Sequence, residues 1–569
     1  MVKRIIAFVL VAAQLSVVSA ANYYVDSNSG SDSNKGKGPD KAWKSLDKVN
    51  SVTFKAGDVI HFINGGEWFG YFEPKGSGKP GKPIVVKSYG ESVKRPKIDG
   101  QGRVGKGVIY LSDQSYWEIS DLELTNYSDQ EGDRRGVWVV AKEGAGVLSH
   151  IHLKNLHVHH IRGMVGQGRN HKRTSGIIFT SFDDKAECRF DDILVDGCVV
   201  HDVSNQGIVT EFIGGGSNLY PQSQGWKNVR ITNAVITNNL VFNISKNAMI
   251  MRNLDGGVVE HNLCHNTAIG HGDGMTGNTI FTATCEGTVF QFNEGYLNRS
   301  SAYDGSLYDA DLRSPNTIWQ YSLSHNNAHG LFWCCTVAED IGVVCRYNVS
   351  YNDKGIIFCV NYPVAGLDIY NNTVIIGEER APIIISERGR GGSGQRVYSF
   401  KDNVIYGGER YFTYILAEDK YTRDIDNNHF YGGYYIPAPD NRHEEFGDKM
   451  MEKGECDSSP LFKDMGGVGA FVQGDDIPKD FLVMDFMHNF RIAGEHIYSG
   501  EELTIESDYK SSGDDIEIKL FDPSGEQIYS KSQPNSQSYS LGKICTQRGL
   551  YLIEIRDGER QINKKLWVL

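Results

Sequence analysis

After its first twenty residues the chain has no apolar run of the roughly 18 to 20 residues a membrane-crossing helix needs, so no bilayer span is expected. It also lacks an excess of positive charge. Lys and Arg number 58 against 71 Asp and Glu, a net charge of −13, so nucleic acid and anionic lipid would both be repelled. A neutral glycan would not be. Metal and redox signatures are missing as well. The ten cysteines, at positions 188, 198, 264, 285, 334, 335, 345, 359, 456 and 545, contain no CxxC pair and no zinc spacing. Several stand beside Val, Ile or Phe and are expected to be small buried core residues, with one local bridge, Cys188 to Cys198, left open. No metal and no organic cofactor is expected.

The opening MVKRIIAFVLVAAQLSVVSAA has cations at Lys3 and Arg4, an apolar stretch over residues 5–18 and small residues Ser19, Ala20 and Ala21. This is the pattern of a secretory signal peptide, taken as residues 1–20, and predicts a secreted or cell-surface bacterial protein. About 550 mature residues exceed one ordinary core. With 64 Gly, many Asn, 11% aromatics and only 15 Pro, short Val/Ile-rich runs broken by Gly and Asn favour many short strands over helical bundles.

Those runs repeat. NNLVF at 238, HNLCH at 261, FNEGY at 292, HNNAH at 325, YNVSY at 347, NNTVI at 371, DNVIY at 402 and NNHFY at 427 recur every 22 to 33 residues or so, preceded by KNLHV at 154. A second strand signal recurs roughly in phase: GIIFT at 176, GIVTE at 207, AMIMR at 248, NTIFT at 278, GSLYD at 305, GLFWC at 330 and GIIFC at 355. Two or three short strands per period, none able to form a core alone, define a solenoid, and Asn turns between apolar strands make it a right-handed parallel β-helix. Stacked coils should then ladder their turn amides. Insertions GQGRNHKRTSG from Gly166 and EFIGGGSNLYPQSQGW after Thr210 have the polar, aromatic character of loops that contact sugars.

Two terminal stretches resemble known modules. YYVDSNSGSDSNKGKGPDKAWKSLDKVN, with FKAGDVIHFINGGEW and GKPIVVKSYG, resembles the amino-terminal coil that caps secreted bacterial β-helix proteins. After about Asp485 hairpin strands with DPSG and RDGE turns read as a small antiparallel β-sandwich, and GLYLIEIRDGERQINKKLWVL resembles the sorting domain read by the type IX secretion system of Bacteroidetes. That resemblance implies a secretion-machinery partner; a carbohydrate-binding module competes with it. The expected organisation is a signal peptide over 1–20, a parallel β-helix catalytic domain over 21–485 and a sandwich over 486–569.

Aligning the second strand signal on its first residue gives a fifth-position column of Thr180, Glu211, Arg252, Thr282, Asp309, Cys334 and Cys359, polar in its first five members. Because strand residues alternate between interior and exterior, a polar register should face outward. The stretch YDGSLYDADLRS, residues 303–314, crowds Asp304, Asp309 and Asp311 beside Arg313. Asp309 and Asp311 should project the same way with Cα atoms about 7 Å apart. This permits the carboxyl separations of glycosidases, about 5 to 5.5 Å in retaining and about 6.5 to 9.5 Å in inverting enzymes. Residues 285–335 or so, with DGSLYDADLRSPNTIWQYSLSHNNAHG at their centre, resemble the catalytic coil of secreted β-helix glycoside hydrolases, the lacto-N-biosidase family among them. In that family two aspartates seven residues apart carry a retaining reaction, which implies Asp304 and Asp311 as acid/base and nucleophile, in unassigned order. Seven extended residues span about 23 Å, so the two meet only if the chain turns between them, for which Gly305 provides. Asp309 then becomes a supporting acid, although strand geometry alone prefers it.

Around these, Glu211, Arg252, His271 and Asp273 of GHGDGM, Arg313 and Trp333 are candidate substrate contacts. The cluster His325, Asn326, Asn327 and His329 lacks a carboxylate at ligand spacing and reads as an Asn-ladder corner. The resulting expectation is a secreted glycoside hydrolase acting on a glycan or polysaccharide. A polysaccharide lyase, with Arg252 and Arg313 neutralising a uronate, and a non-catalytic glycan-binding surface protein are the alternatives.

Overall fold

The computed structural model describes residues 20–432 and 490–568, apart from 166–172, 214–218, 271–276, 301–303, 336–340, 362, 378–381, 389–393, 409–412 and 416–420 in the first block and 493–495, 498–499, 508–514, 523–525, 535, 537, 547–548 and 558–559 in the second. The proposed signal peptide, the boundary near residue 485, His271 and Asp273 lie outside the described residues.

The first block is a parallel β-helix. Its strands fall into three long parallel sheets of 15, 13 and 11 strands, and each coil adds one strand to a sheet at a time. The first sheet runs from Asn22–Val25 to Thr422–Asp426, the second from Glu67–Phe69 to His429–Gly432, and the third from Gly107–Ser112 to Thr413–Ile415. Inward residues of all three sheets, among them Ile119, Leu153, Val195, Ile236, Val259, Phe290 and Trp319, form one continuous buried core. No coil could bury these alone; stacking removes them from water.

The turn between the first and second sheets shows why Asn recurs. The Asn239 side chain and backbone N–H both donate to Asn262 Oδ1, which repeats from Asn262 to Asn293, Asn348 to Asn372, Asn372 to Asn403 and Asn403 to Asn428, with Ser322 replacing one rung. From Asn239 onward these steps span 23 to 31 residues, inside the expected period. Each amide also reaches a strand carbonyl, as Asn262 does to Ile236 O at 3.0 Å, so a buried turn keeps its polar groups satisfied. The residue before each ladder position takes a left-handed conformation, φ +54° at Asn238, +55° at His261 and +54° at Tyr347, which turns the chain sharply into the next strand. Asn327, which the HNNAH step at 325 grouped with these residues, belongs instead to a second ladder, between Asn298 N and Asp353, still at a coil corner.

The carboxy-terminal block packs two sheets, of three and five strands, around one core of Leu503, Ile505, Ile518, Leu520, Tyr539, Ile553, Ile555 and Leu566. Its pairings are antiparallel except where His496–Ile497 joins Arg560–Val568 in parallel. The cysteines among the described residues are all free and buried, so the open Cys188–Cys198 bridge is not formed. Among the described residues no helix is long and apolar enough to cross a membrane.

Candidate functional site

The three aspartates stand at the third sheet. The strand Tyr308–Ala310 pairs with Ile280–Ala283 on one side and Phe332–Cys334 on the other, in the register Phe281–Asp309–Trp333 and Thr282–Ala310–Cys334. Tyr308 and Ala310 point into the core, so Asp309 points out. The seven-membered column therefore needs correction. Thr282 and Cys334 share the inward register with Met251, Ala310 and Val360, whereas Asp309 continues Trp138, Ile178, Val209, Ile250 and Phe281 and is followed by Trp333 and Cys359. Coil corners differ in length, so alignment on the first apolar residue slips by one, and a one-residue slip exchanges the two faces of a strand.

Thr180, Glu211, Arg252 and Ala283 form the next outward column, and Asp311, whose N–H donates to Thr282 O at 3.0 Å, continues it. Carboxylate oxygens of Asp309 and Asp311 and the Cys335 sulfur lie within 4.8 Å of one another. Burial together with the charges of Asp309 and Asp311 raises the Cys335 thiol well above its ordinary pKa. Burial likewise raises Cys359, with the charges of Asp309 and Asp304 adding to it.

Accessibility separates the three acids. Asp309 is 4% exposed, while Asp304 and Asp311 are half-buried. The chain bends at Ser306 and Leu307, between Asp304 and the strand, and Asn278 holds that bend. Its Oδ1 accepts from Gly305 N at 2.7 Å and Ser306 N at 2.8 Å, and its Nδ2 donates to Asp309 Oδ2 at 2.7 Å. Gly305 sits against His329, where a Cβ would come within 2.5 Å of the imidazole Cδ2. Sequence reasoning missed Asn278. Its signal was the Asn that opens successive third-sheet strands, as in KNAMIM and GNTIFT.

The other candidates occupy distinct places. Glu211 and Arg252 pair with each other at 3.4 Å, three coils and two coils before Asp311 on the same column. Trp333 is outward but covered, 2% exposed, with the Arg388 guanidinium 5.1 Å from its ring centre and its Nε1 donating to Cys335 at 2.7 Å. Arg313 is buried, with its guanidinium 4.2 Å from the ring centre of Tyr220. Tyr220 belongs to the insertion after Thr210, which the helix Gln224–Val229 docks by burying Trp226 and donating its Nε1 to Thr284 O at 2.7 Å. The insertion thus reaches the rim of the acidic coil. Five coils away on the Asp309 column, about 24 Å at strand spacing, a cavity of about 390 Å³ is lined by Asp133, Arg135, Trp138, Met164, Arg173 and Phe182.

A lacto-N-biosidase of Bifidobacterium longum subsp. longum is 28% identical over 447 residues, an alignment taking in 63% of this chain and 27% of that protein. Native and selenomethionine structures of the GH136 lacto-N-biosidase from Eubacterium ramulus superpose with TM-scores of 0.56 and 0.55 at 22% and 23% identity. The superpositions cover 71% and 65% of this chain and 68% and 67% of the other. The chain is similar to lacto-N-biosidases in sequence and in fold. It spans about a quarter of the Bifidobacterium protein's length. Residues 499–569, within the expected tail, match the secretion system C-terminal sorting domain.

Proposed function

We propose that the protein is an exported glycoside hydrolase that cleaves a glycan by a retaining, two-aspartate mechanism, with Asp304 and Asp311 as the working pair. The observation that carries this reading is the approach of Asp309 and Asp311 within 4.8 Å on one coil, with half-buried Asp304 seven residues before Asp311 and joined to that strand through a bend held by Asn278. The sequence similarity to a lacto-N-biosidase supports it and suggests a substrate related to lacto-N-biose, released as a disaccharide. One carboxyl group protonates the glycosidic oxygen while the other attacks the anomeric carbon; water then hydrolyses the glycosyl ester with the first group acting as base. Asp309, buried and fixed by Asn278, orients and polarises its neighbours without meeting the sugar. The sorting tail directs the folded enzyme outward.

The test is substitution by Asn, followed by turnover on glycans ending in lacto-N-biose. Asp304→Asn and Asp311→Asn should each lower turnover by several orders of magnitude with folding and glycan binding intact. Asp309→Asn should cost roughly ten- to a hundredfold. Azide should restore turnover to a small-residue variant of whichever acid is the nucleophile. An inactive Asp309→Asn beside a near-normal Asp304→Asn would transfer the pair to Asp309 and Asp311. Ultraviolet-absorbing unsaturated products would mean a lyase, and binding without product an adhesin.

A further inference from the structure

A cluster of four histidines lies on the second sheet, away from the aspartates. The strand His157–Ile161 pairs with Glu123–Asn126 and with Val199–Val203, placing Glu123 opposite His157 and His159 opposite His201. Alternation turns His157 and His159 outward together. At His160 and at Asp202, their counterparts in successive coils, φ is +52°, which interrupts alternation and brings both side chains to the same face. The rings of His157, His159, His160 and His201 then have centroids 4.4 to 6.1 Å apart.

Two carboxylates decide which nitrogens carry protons. Asp202 and Glu123 each face an imidazole nitrogen. Ionised, both only accept hydrogen bonds. His201 Nδ1 therefore donates to Asp202 at 2.6 Å, and His159 Nε2 donates to Glu123 at 3.3 Å. The remaining nitrogens are lone pairs: His201 Nε2, 2.8 Å from His157 Nε2, and His159 Nδ1, 2.8 Å from His160 Nδ1. An imidazole oriented by a carboxylate on one nitrogen with its other lone pair aimed at a second imidazole is the arrangement that ligates transition metals. His150 differs. Both of its nitrogens lie on carboxylates, Asp192 at 2.7 Å and Glu118 at 3.1 Å.

We propose that His157, His159, His160 and His201, oriented by Glu123 and Asp202, form a seat for a divalent transition cation, of the Cu²⁺, Ni²⁺ or Zn²⁺ class, that clamps two successive coils. Ligand atoms of Glu123, His157 and His159 lie within 4.8 Å of one another, as do those of His160, His201 and Asp202. Metal–nitrogen bonds of about 2.05 Å put two nitrogens about 2.9 Å apart at a right angle and about 3.4 Å apart in a tetrahedron. The 2.8 Å spacing of His157 and His201 thus suits Cu²⁺ or Ni²⁺ directly, and Zn²⁺ after the rings part by roughly 0.6 Å. Imidazole ligands also discriminate against Ca²⁺ and Mg²⁺, which favour oxygen.

The test uses the full chain without a histidine tag, stripped with chelator and titrated calorimetrically with CuCl₂, NiCl₂ and ZnCl₂, with CaCl₂ and MgCl₂ as controls. Stoichiometric binding of at least one transition cation should raise the thermal unfolding midpoint by a few degrees. His201→Gln should weaken binding at least tenfold and Asp202→Asn by roughly ten- to a hundredfold, since the latter releases the orientation of His201. His150→Gln should leave affinity unchanged. Metal-free circular dichroism confirms that each variant folds. Failure of all three transition metals to bind stoichiometrically, or binding unchanged in folded His201→Gln, overturns the proposal.

Discussion

Replacing Asp353 with Asn should stabilise the solenoid at neutral pH and flatten its response to acid. Asp353 is 3% exposed and accepts hydrogen bonds from Ser324 Oγ at 2.6 Å, Ser350 Oγ at 2.7 Å and Asn327 N at 2.9 Å. Burial outweighs these bonds and raises its pKa from 3.8 to about 6. Below about pH 4 the folded and unfolded forms are both protonated, so the site costs nothing. Between about 4 and 6 the unfolded chain loses its proton first, and stability falls as pH rises. Above 6 the full penalty is present, about 2 pKa units at 1.36 kcal/mol each, or about 3 kcal/mol. Asn keeps Oδ1 for Asn327 N but obliges at least one serine hydroxyl to turn and accept, an adjustment of about 1 kcal/mol. The net gain near pH 7.5 is therefore about 2 kcal/mol, with a small loss at pH 4. Urea midpoints of wild type and Asp353→Asn at pH 4, 5, 6 and 7.5 measure it. A difference in midpoint that stays constant across that range would refute the reasoning.

Asn278→Ala should lower kcat at least tenfold with little change in KM, because it frees the bend after Asp304 and the Asp309 carboxylate while leaving sugar contacts in place; equal losses in both parameters would contradict a positioning role. Asn348→Ala removes a ladder rung joined to Ser322 and Asn372 and should destabilise by about 2 to 4 kcal/mol, read from urea midpoints, with Asn348→Ser recovering part of the loss as Ser322 does naturally. Deleting 486–569 should leave hydrolysis unchanged, since the sandwich has its own core, and should abolish export in a host with the matching secretion system; an inactive but folded truncated enzyme would disprove the division.

How much of this was legible in the sequence depends on whether a residue's chemistry or its register carries the information. Asn239, Asn262, Asn293, Asn348, Asn372, Asn403 and Asn428 could be picked out because a buried turn needs a side chain that both donates and accepts, and few residue types do so in a short reach. The outward column could not be picked out in the same way. The inward residues beside it, Met249, Ile280, Tyr308, Phe332 and Phe358, align across five coils, yet they occupy different places within their apolar runs. Hydrogen bonding fixes which residues meet, and nothing in an apolar run announces its offset. The histidines were overlooked for a related reason: HVHH reads as an ordinary alternating strand until the left-handed turn at His160 is known.

That difference explains why the acidic coil is built into the solenoid rather than placed upon it. Gln206 Oε1 accepts from Asn247 N at 3.0 Å, Asn247 Nδ2 donates to Asn278 O at 2.6 Å, and Asn278 Nδ2 donates to Asp309. This buried polar chain crosses four successive coils at the entrance to the third sheet. Each link fixes the next coil's axial position, so the Asp309 carboxylate and the bend that presents Asp304 are set by stacking over about 14 Å rather than by local turn preference. A loop carrying the same three acids would have to order them on substrate binding, at a cost of about 1 to 2 kcal/mol per residue fixed. Here folding has already ordered them. The insertion that carries Tyr220 onto Arg313 lies outside this buried polar chain and is docked through Trp226, so on the proposed function substitutions at Tyr220 should alter substrate preference while the coils beneath hold the carboxylates in place.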